Sequence, residues 1–188
     1  MTHLNIKNMV CDRCIMVVRQ QLDDTGITYK QVKLGDVELA NTPSPEQMVQ
    51  LRERLTGLGF ELLDDRRGAL IEKIKNIIIR LIHHNKGEEM NTKLSVVLAG
   101  ELHMDYHYLS SQFSASEGIT IEKYTIQQRI ERAKELLVYD QLTLSEIADS
   151  LGYSSVQHLS QQFKKVTGLT PSQYKSGAGT PRIPLDKV

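Results

Sequence analysis

Cys11 and Cys14 are the only two cysteines in this 188-residue chain, and they stand close together in Met9-Val10-Cys11-Asp12-Arg13-Cys14. A thiol acts as a ligand or nucleophile only as its thiolate. The motif lies between a short apolar run and a helical pattern, with Cys11 in the loop and Cys14 in the first turn. There the unpaired backbone N–H groups and the positive helix end favour thiolate, and Arg13 adds positive charge. Two such sulfurs on one strand-to-helix loop converge on a soft cation. Two thiolates alone suit Cu(I), which accepts low coordination, better than Zn²⁺, which normally takes four ligands; Cd²⁺ is a further candidate. The same spacing also permits a redox pair, although Asp12-Arg13 departs from the Gly-Pro or Pro-x that redox motifs commonly hold. Met9 reads as a core anchor beneath the loop; His3, His83, His84 or a second subunit is a candidate source of a third ligand, although each His reads first as an ordinary surface residue. Neither a phosphate loop, a Ser/His/Asp set nor an acid pair with evident context is present, so the sequence does not read as an enzyme.

These thiols need a scaffold, and residues 1–65 supply a mixed pattern. Leu4–Ile6 reads as a strand, Cys14–Leu22 as a helix with Ile15, Val18 and Leu22 inward, and Thr28–Leu34 as a second strand. Glu46–Leu58 is helical, with Met48, Leu51, Leu55 and Leu58 at helical spacing, and Phe60–Leu63 is a closing strand. Gly35-Asp36 is either a hairpin turn or a bulge in one long strand, and the hairpin is favoured. The order is then βαββαβ.

Residues 66–90 follow as an Ile-rich connecting helix. Leu70, Ile74, Ile77 and Leu81 alternate steps of four and three, widened by Ile71, Ile78 and Ile82. Such a stripe packs on the next domain of its own chain or forms a homodimer seam.

Residues 91–175 are helical in pattern and repeat at an offset of fifty: Leu109 with Leu159, Ser110 with Ser160, Gln112 with Gln162, Phe113 with Phe163, Gly118 with Gly168, Thr120 with Thr170 and Tyr124 with Tyr174. Each copy reads as a helix-turn-helix. In the second, Thr143-Leu144-Ser145-Glu146 forms a capping box, Ile147 and Leu151 face inward, Gly152 allows the turn and Ser154 caps the following helix. Thr125–Tyr139 joins the copies as one long helix with Ile126, Ile130, Ala133 and Leu137 inward. Two exposed helices held on one rigid body match major-groove segments about 34 Å apart along duplex DNA. The fold class is therefore α+β: a βαββαβ domain followed by an all-α domain with two helix-turn-helix units joined by a long helix. Residues 176–188 read as a mobile tail.

Two stretches resemble known families. Ile147-Ala148-Asp149-Ser150-Leu151-Gly152-Tyr153-Ser154-Ser155 and Leu159 through Tyr174 resemble the second half of AraC/XylS-type DNA-binding domains, and Arg129 through Leu137 resembles their linker helix. The likeness runs from about Ala69 to Lys175. It implies that Val156, Gln157, His158, Ser160 and Gln161 face bases and that Lys164 and Lys165 lie near phosphates, with His107, Ser110 and Ser111 at the matching positions of the first unit. His103 stands where the first turn's glycine is expected. Residues 3–64, through Met-x-Cys-x-x-Cys and Leu58-Gly59-Phe60, resemble the heavy-metal-associated domain of copper chaperones. That likeness implies a ferredoxin-like fold with Cys11 and Cys14 as metal ligands. Asn8 replaces the usual glycine before the motif methionine, and the middle hairpin is short.

Charge bounds these expectations. With 23 basic and 23 acidic side chains the net charge is zero, which excludes a protein that coats nucleic acid through bulk charge. The absence of an apolar run of eighteen residues or of a basic-then-apolar leader argues against membrane spans and secretion, and reduced cysteines fit the cytoplasm. The resulting expectation is a bacterial transcription regulator that binds double-stranded DNA and responds to a soft metal ion. A metal carrier whose helices dock on a protein partner, and a thiol redox-responsive regulator, remain open beside it.

Overall fold

A computed structural model describes residues 3–84, 93–178 and 182–188. The chain divides into two compact units, residues 1–77 and 78–188, with the boundary inside the Ile-rich helix. The expected break at Lys86-Gly87 lies outside the described residues.

The first unit is an antiparallel sheet covered by helices. Its elements are β1 (His3–Lys7), α1 (Asp12–Asp24), β2 (Tyr29–Lys33), β3 (Asp36–Leu39), α2 (Pro45–Gly57) and β4 (Glu61–Leu63), and the strand order is β2-β3-β1-β4. Alternation along the strands decides which side is buried. Leu4, Ile6, Val32, Val37, Leu39 and Leu62 form one core with Val18 and Leu22 of α1, Leu51 and Leu55 of α2, and Met9 and Ile27. The opposite strand positions are polar and pair across strands, Lys7 with Glu61 at 3.3 Å and Lys30 with Glu38 at 3.1 Å. The β2–β3 link is the favoured hairpin, and it also carries an irregularity in register between Tyr29 and Gln31. Gly35 turns it at φ 75°, and a side chain there would overlap the Asn76 amide. Ser44 caps α2 in a capping box with Gln47. Leu58, expected inward, is instead 51% exposed because α2 has ended at Gly57.

α3 (Arg66–Ile79) continues into a π-helical turn, Arg80–His84. Ile71, Ile74, Ile77, Ile78, Leu81 and Ile82 are all buried within the single chain.

The second unit contains α4 (Leu94–Leu102), α5 (Tyr106–Glu117), α6 (Ile121–Tyr139), α7 (Leu144–Ser150) and α8 (Val156–Thr167). The repeat in the sequence is a repeat in space. Leu109 and Leu159, Phe113 and Phe163 are all fully buried. Phe113 packs on Tyr124 and Phe163 on Tyr174, each with ring centroids 5.5 Å apart. Gly118 and Gly168 end their helices in the left-handed region, at φ 71° and 80°. Thr120 and Thr170 each cap the next helix by accepting from the backbone N–H three residues on. The same backbone chemistry therefore recurs at each matching position.

α6 starts four residues earlier than expected because Thr120 supplies its cap. Ile130, Ala133 and Leu137 are buried as anticipated, and Ile126 is only half-buried. Gln128, Glu131 and Lys134 are also buried, at 0%, 3% and 4% exposure, which apolar periodicity does not reveal. The tail accounts for part of this: Arg182–Val188 is docked on α6, with Ile183 N–H donating to Glu131 Oε2 at 3.0 Å and Gln128 Nε2 donating to the Leu185 carbonyl at 3.2 Å. This segment is thus docked rather than free. His83, expected at the surface, is partly buried, and its Nε2 pairs with Gln128 Oε1 at 3.0 Å.

The two phenylalanines are the largest fully buried side chains among the described residues. Phe163→Ala should destabilise the second unit by about 3–5 kcal/mol through lost burial and a cavity, read as a lower midpoint in urea denaturation followed by helical circular dichroism.

Candidate nucleic-acid interface and thiol loop

The second helix-turn-helix is built by local capping. Thr143 Oγ1 accepts from Glu146 N–H, and the Glu146 carboxylate accepts from Thr143 N–H at 2.7 Å. The carboxylate also accepts from the Thr143 hydroxyl at 2.7 Å, and this bond, with that from the Thr143 N–H, lowers the Glu146 carboxyl below its ordinary value. Ile147 and Leu151 are buried, and Gly152 turns the chain at φ 69°. The cap of α8 is Ser155, not Ser154: Ser155 Oγ accepts from His158 N–H at 3.1 Å. Ser154 instead lies 3.3 Å from His158 Nδ1. The Tyr153 ring stands edge-on to the His158 ring, 5.3 Å away. His158 is thus oriented by its neighbours, with Nδ1 engaged and Nε2 left for an outside partner.

Leu159 and Phe163 anchor α8 from beneath, so the rest of the helix is presented outward. Gln157, His158, Gln161, Lys164 and Lys165 are exposed, and Val156 and Ser160 half-buried. The two glutamines lie four residues apart and Lys164 three beyond, which places them along one face. Both lysines fall in the last turn of α8, where the helix dipole favours cations.

The first helix-turn-helix differs in chemistry. Three residues separate α4 from α5, against five between α7 and α8. His103 takes the left-handed conformation itself, at φ 52°. Asp105 caps α5 by accepting from His107 and Tyr108 N–H. His107 and Ser111 are exposed and Ser110 half-buried. Tyr108 is 49% exposed on the same helix and occupies the position that the fifty-residue offset pairs with His158. The repeat itself signals this residue, which a reading limited to His107, Ser110 and Ser111 passes over. Neither Lys nor Arg occurs in Tyr106–Glu117. Tyr106 ties α5 to α6 by donating to Glu122 Oε1 at 2.5 Å.

In the first unit the thiol loop joins β1 to α1. Asn8 holds φ 71°, a left-handed value that asparagine tolerates better than most residues, and its Nδ2 donates to the Gly59 carbonyl at 2.9 Å. Met9 is fully buried. Cys11 is the N-cap residue of α1, and Cys14 N–H donates to the Cys11 carbonyl at 2.9 Å. The two Sγ atoms lie 3.6 Å apart, one thiol hydrogen-bonded to the other. Both side chains are half-buried. Burial pushes the Cys14 thiol up from its ordinary range, and the Cys11 thiol beside it adds to the rise against the backbone N–H bonds that oppose it. The expected bias toward thiolate at Cys14 is therefore reversed, because desolvation outweighs the helix end. Among the described residues no third His, Cys, Asp or Glu joins the two cysteines as a cluster able to hold a metal. His3 instead pairs with Asp36 at 3.1 Å. No helix among the described residues is long and apolar enough to cross a membrane.

Comparison with known proteins bears on the second unit. A family model for a helix-turn-helix domain matches residues 98–177. The chain is 33% identical over 110 residues to the uncharacterized HTH-type transcriptional regulator YtdP of Bacillus subtilis, covering 58% of this chain and 14% of that protein. It is 40% identical over 67 residues to the HTH-type transcriptional activator RhaR of Salmonella arizonae, covering 36% and 24%. The C-terminal domain of AraT, a response regulator from Geobacillus stearothermophilus, superposes with a TM-score of 0.51 at 27% identity, covering 62% of this chain and 92% of that one. The chain spans a quarter or less of the length of these two curated relatives. Residues 98–177 match the helix-turn-helix domain family and are similar to AraC-type DNA-binding domains of transcriptional regulators.

Proposed function

We propose that the chain is a DNA-binding transcriptional regulator whose α8 reads bases in a major groove and whose Cys11–Cys14 loop captures a soft metal ion, Cu(I) before Zn²⁺ or Cd²⁺. The observation that carries the DNA reading is the exposed face of α8. It combines glutamines, which match the N6 and N7 edge of adenine in bidentate fashion, with lysines that neutralise phosphate. Val156 adds an apolar contact of the kind that fits a thymine methyl. With neither Lys nor Arg on α5, the first helix-turn-helix positions the domain and contributes less affinity. Double-stranded DNA is then the macromolecular partner, and the cytoplasm the setting.

The metal reading is supported by the first unit. Its βαββαβ order and β2-β3-β1-β4 sheet support the ferredoxin-like, heavy-metal-associated reading. Asn8 reproduces the left-handed backbone that a glycine would supply before Met9. Two sulfurs 3.6 Å apart are close enough to share one ion at metal–sulfur distances of about 2.3 Å. Metal capture alters DNA affinity only if the ion binds one arrangement of the chain better than another.

Binding of the chain to a duplex spanning its own upstream region, across a salt series, tests the first claim. Lys164→Ala and Lys165→Ala should each weaken binding to every sequence and lower the log–log salt slope by about one. Gln157→Ala and Gln161→Ala should cost about 1–3 kcal/mol on the preferred site and little on random duplex. Failure of the parent chain to bind any duplex at low salt contradicts the reading.

Metal capture should release a proton, since burial raises the Cys14 thiol and keeps it protonated before the ion binds. Cu(I) affinity should therefore fall as pH drops through the raised Cys14 value, by about tenfold per pH unit for each thiol that ionises. Calorimetric titrations at several pH values check this, with Cys11→Ser and Cys14→Ser as silent controls. A change in promoter affinity on oxidation without metal identifies a redox regulator instead. Metal binding with unchanged promoter affinity rejects sensing while leaving the DNA reading intact.

A further inference from the structure

The tail makes polar contacts with one stripe of α6 that base recognition does not use. Tyr124, Gln128, Glu131 and Glu135 recur at helical spacing along α6. Against them Arg182–Leu185 runs antiparallel: Arg182 pairs with Glu135 at 3.4 Å, Ile183 N–H donates to Glu131 at 3.0 Å, and the Leu185 carbonyl accepts from Gln128 at 3.2 Å.

Two features show what this docking does. Glu131 is a buried carboxylate, and a buried carboxylate is costly unless both oxygens are hydrogen-bonded. Lys134 serves Oε1 at 2.6 Å, and the Ile183 amide serves Oε2. Pro184 has no N–H, so Ile183 supplies the amide of that dipeptide. Gln128 is a junction: its Nε2 reaches both the Leu185 carbonyl and the Tyr124 hydroxyl, while its Oε1 accepts from His83 in the turn that follows α3. One fully buried amide therefore joins the tail to the segment Arg80–His84. The apolar grip of the tail is slight, with Ile183 46% exposed, so the docking is polar and shallow, as in elements that open locally without global unfolding.

We infer that residues 182–188 form a releasable clamp on α6 that fixes the Arg80–His84 turn through Gln128, so that undocking of the tail loosens the point where the first unit leads into the second. The clamp is independent of whether the domain binds DNA. The charged groups around His83 are Arg132, Glu135 and His84. Glu135 is shared between Arg132 at 2.6 Å and Arg182 of the tail, so the tail also sets the charge balance at that ring.

The test compares the full chain with a chain ending at Thr180 and with Ile183→Pro, which removes the N–H that Glu131 accepts and fixes φ at that residue. Amide hydrogen exchange at Leu81–His84 should accelerate at least tenfold in both, while amides of α8 keep their parent rates. The His83 ring, whose burial holds its titration down to about 4, should move toward the ordinary histidine value of about 6.5 when followed by NMR. Parent-like exchange and titration at this turn in both variants would overturn the clamp. So would equal acceleration throughout α4–α8, which would make the tail ordinary core rather than a releasable element.

Discussion

The seating of two leucine–phenylalanine pairs in the second unit is the constraint on which the rest depends. Leu109 with Phe113, and Leu159 with Phe163, are fully buried, and each pair commits one side of its helix to the interior. What remains outside is then fixed by helical geometry rather than by choice of loop. α8 presents Gln157, His158, Gln161 and two lysines because Leu159 and Phe163 cannot turn away without opening a cavity. α6 joins the two helix-turn-helix copies as one uninterrupted helix, so the separation of α5 and α8 is set by a rigid element and not by a flexible linker. Function at base edges needs this kind of prepositioning, since each hydrogen bond there is worth little unless the side chains that make it are already placed.

The two copies share a scaffold and diverge in surface chemistry. Their caps, left-handed glycines and aromatic pairs recur at matching positions, yet α5 carries no cation where α8 carries Lys164 and Lys165. Because duplex affinity comes largely from neutralised phosphates, the proposed DNA reading gives most of the electrostatic grip to the second copy. The shorter link between α4 and α5 further separates the two copies in detail.

Legibility in the sequence followed the physics of each feature. Periodic apolar burial is a local signal, so the strands, α1, α2 and the paired helices could be read, and identical residues at a fixed offset exposed the repeat. Residues whose role depends on a distant partner were not readable. Glu131, Gln128 and Lys134 lie on the buried side of α6, where spacing predicts apolar residues, because a segment some fifty residues away supplies hydrogen bonds that make polar burial tolerable. Leu58 fits the helical pattern but falls just past the end of α2. Ser154 and Ser155 are both competent caps in sequence, and only the backbone path selects Ser155. Ionisation at Cys14 depended on the balance of burial against the helix end, which no motif records.

Hydroxyl-radical footprinting of the intact chain on duplex DNA tests the central claim most directly. The account predicts two protected segments on one face of the duplex, about one helical turn apart, with protection at the α8 segment persisting to higher salt. Protection of a single segment that survives loss of both α8 lysines unchanged, or uniform protection without spacing, would contradict it.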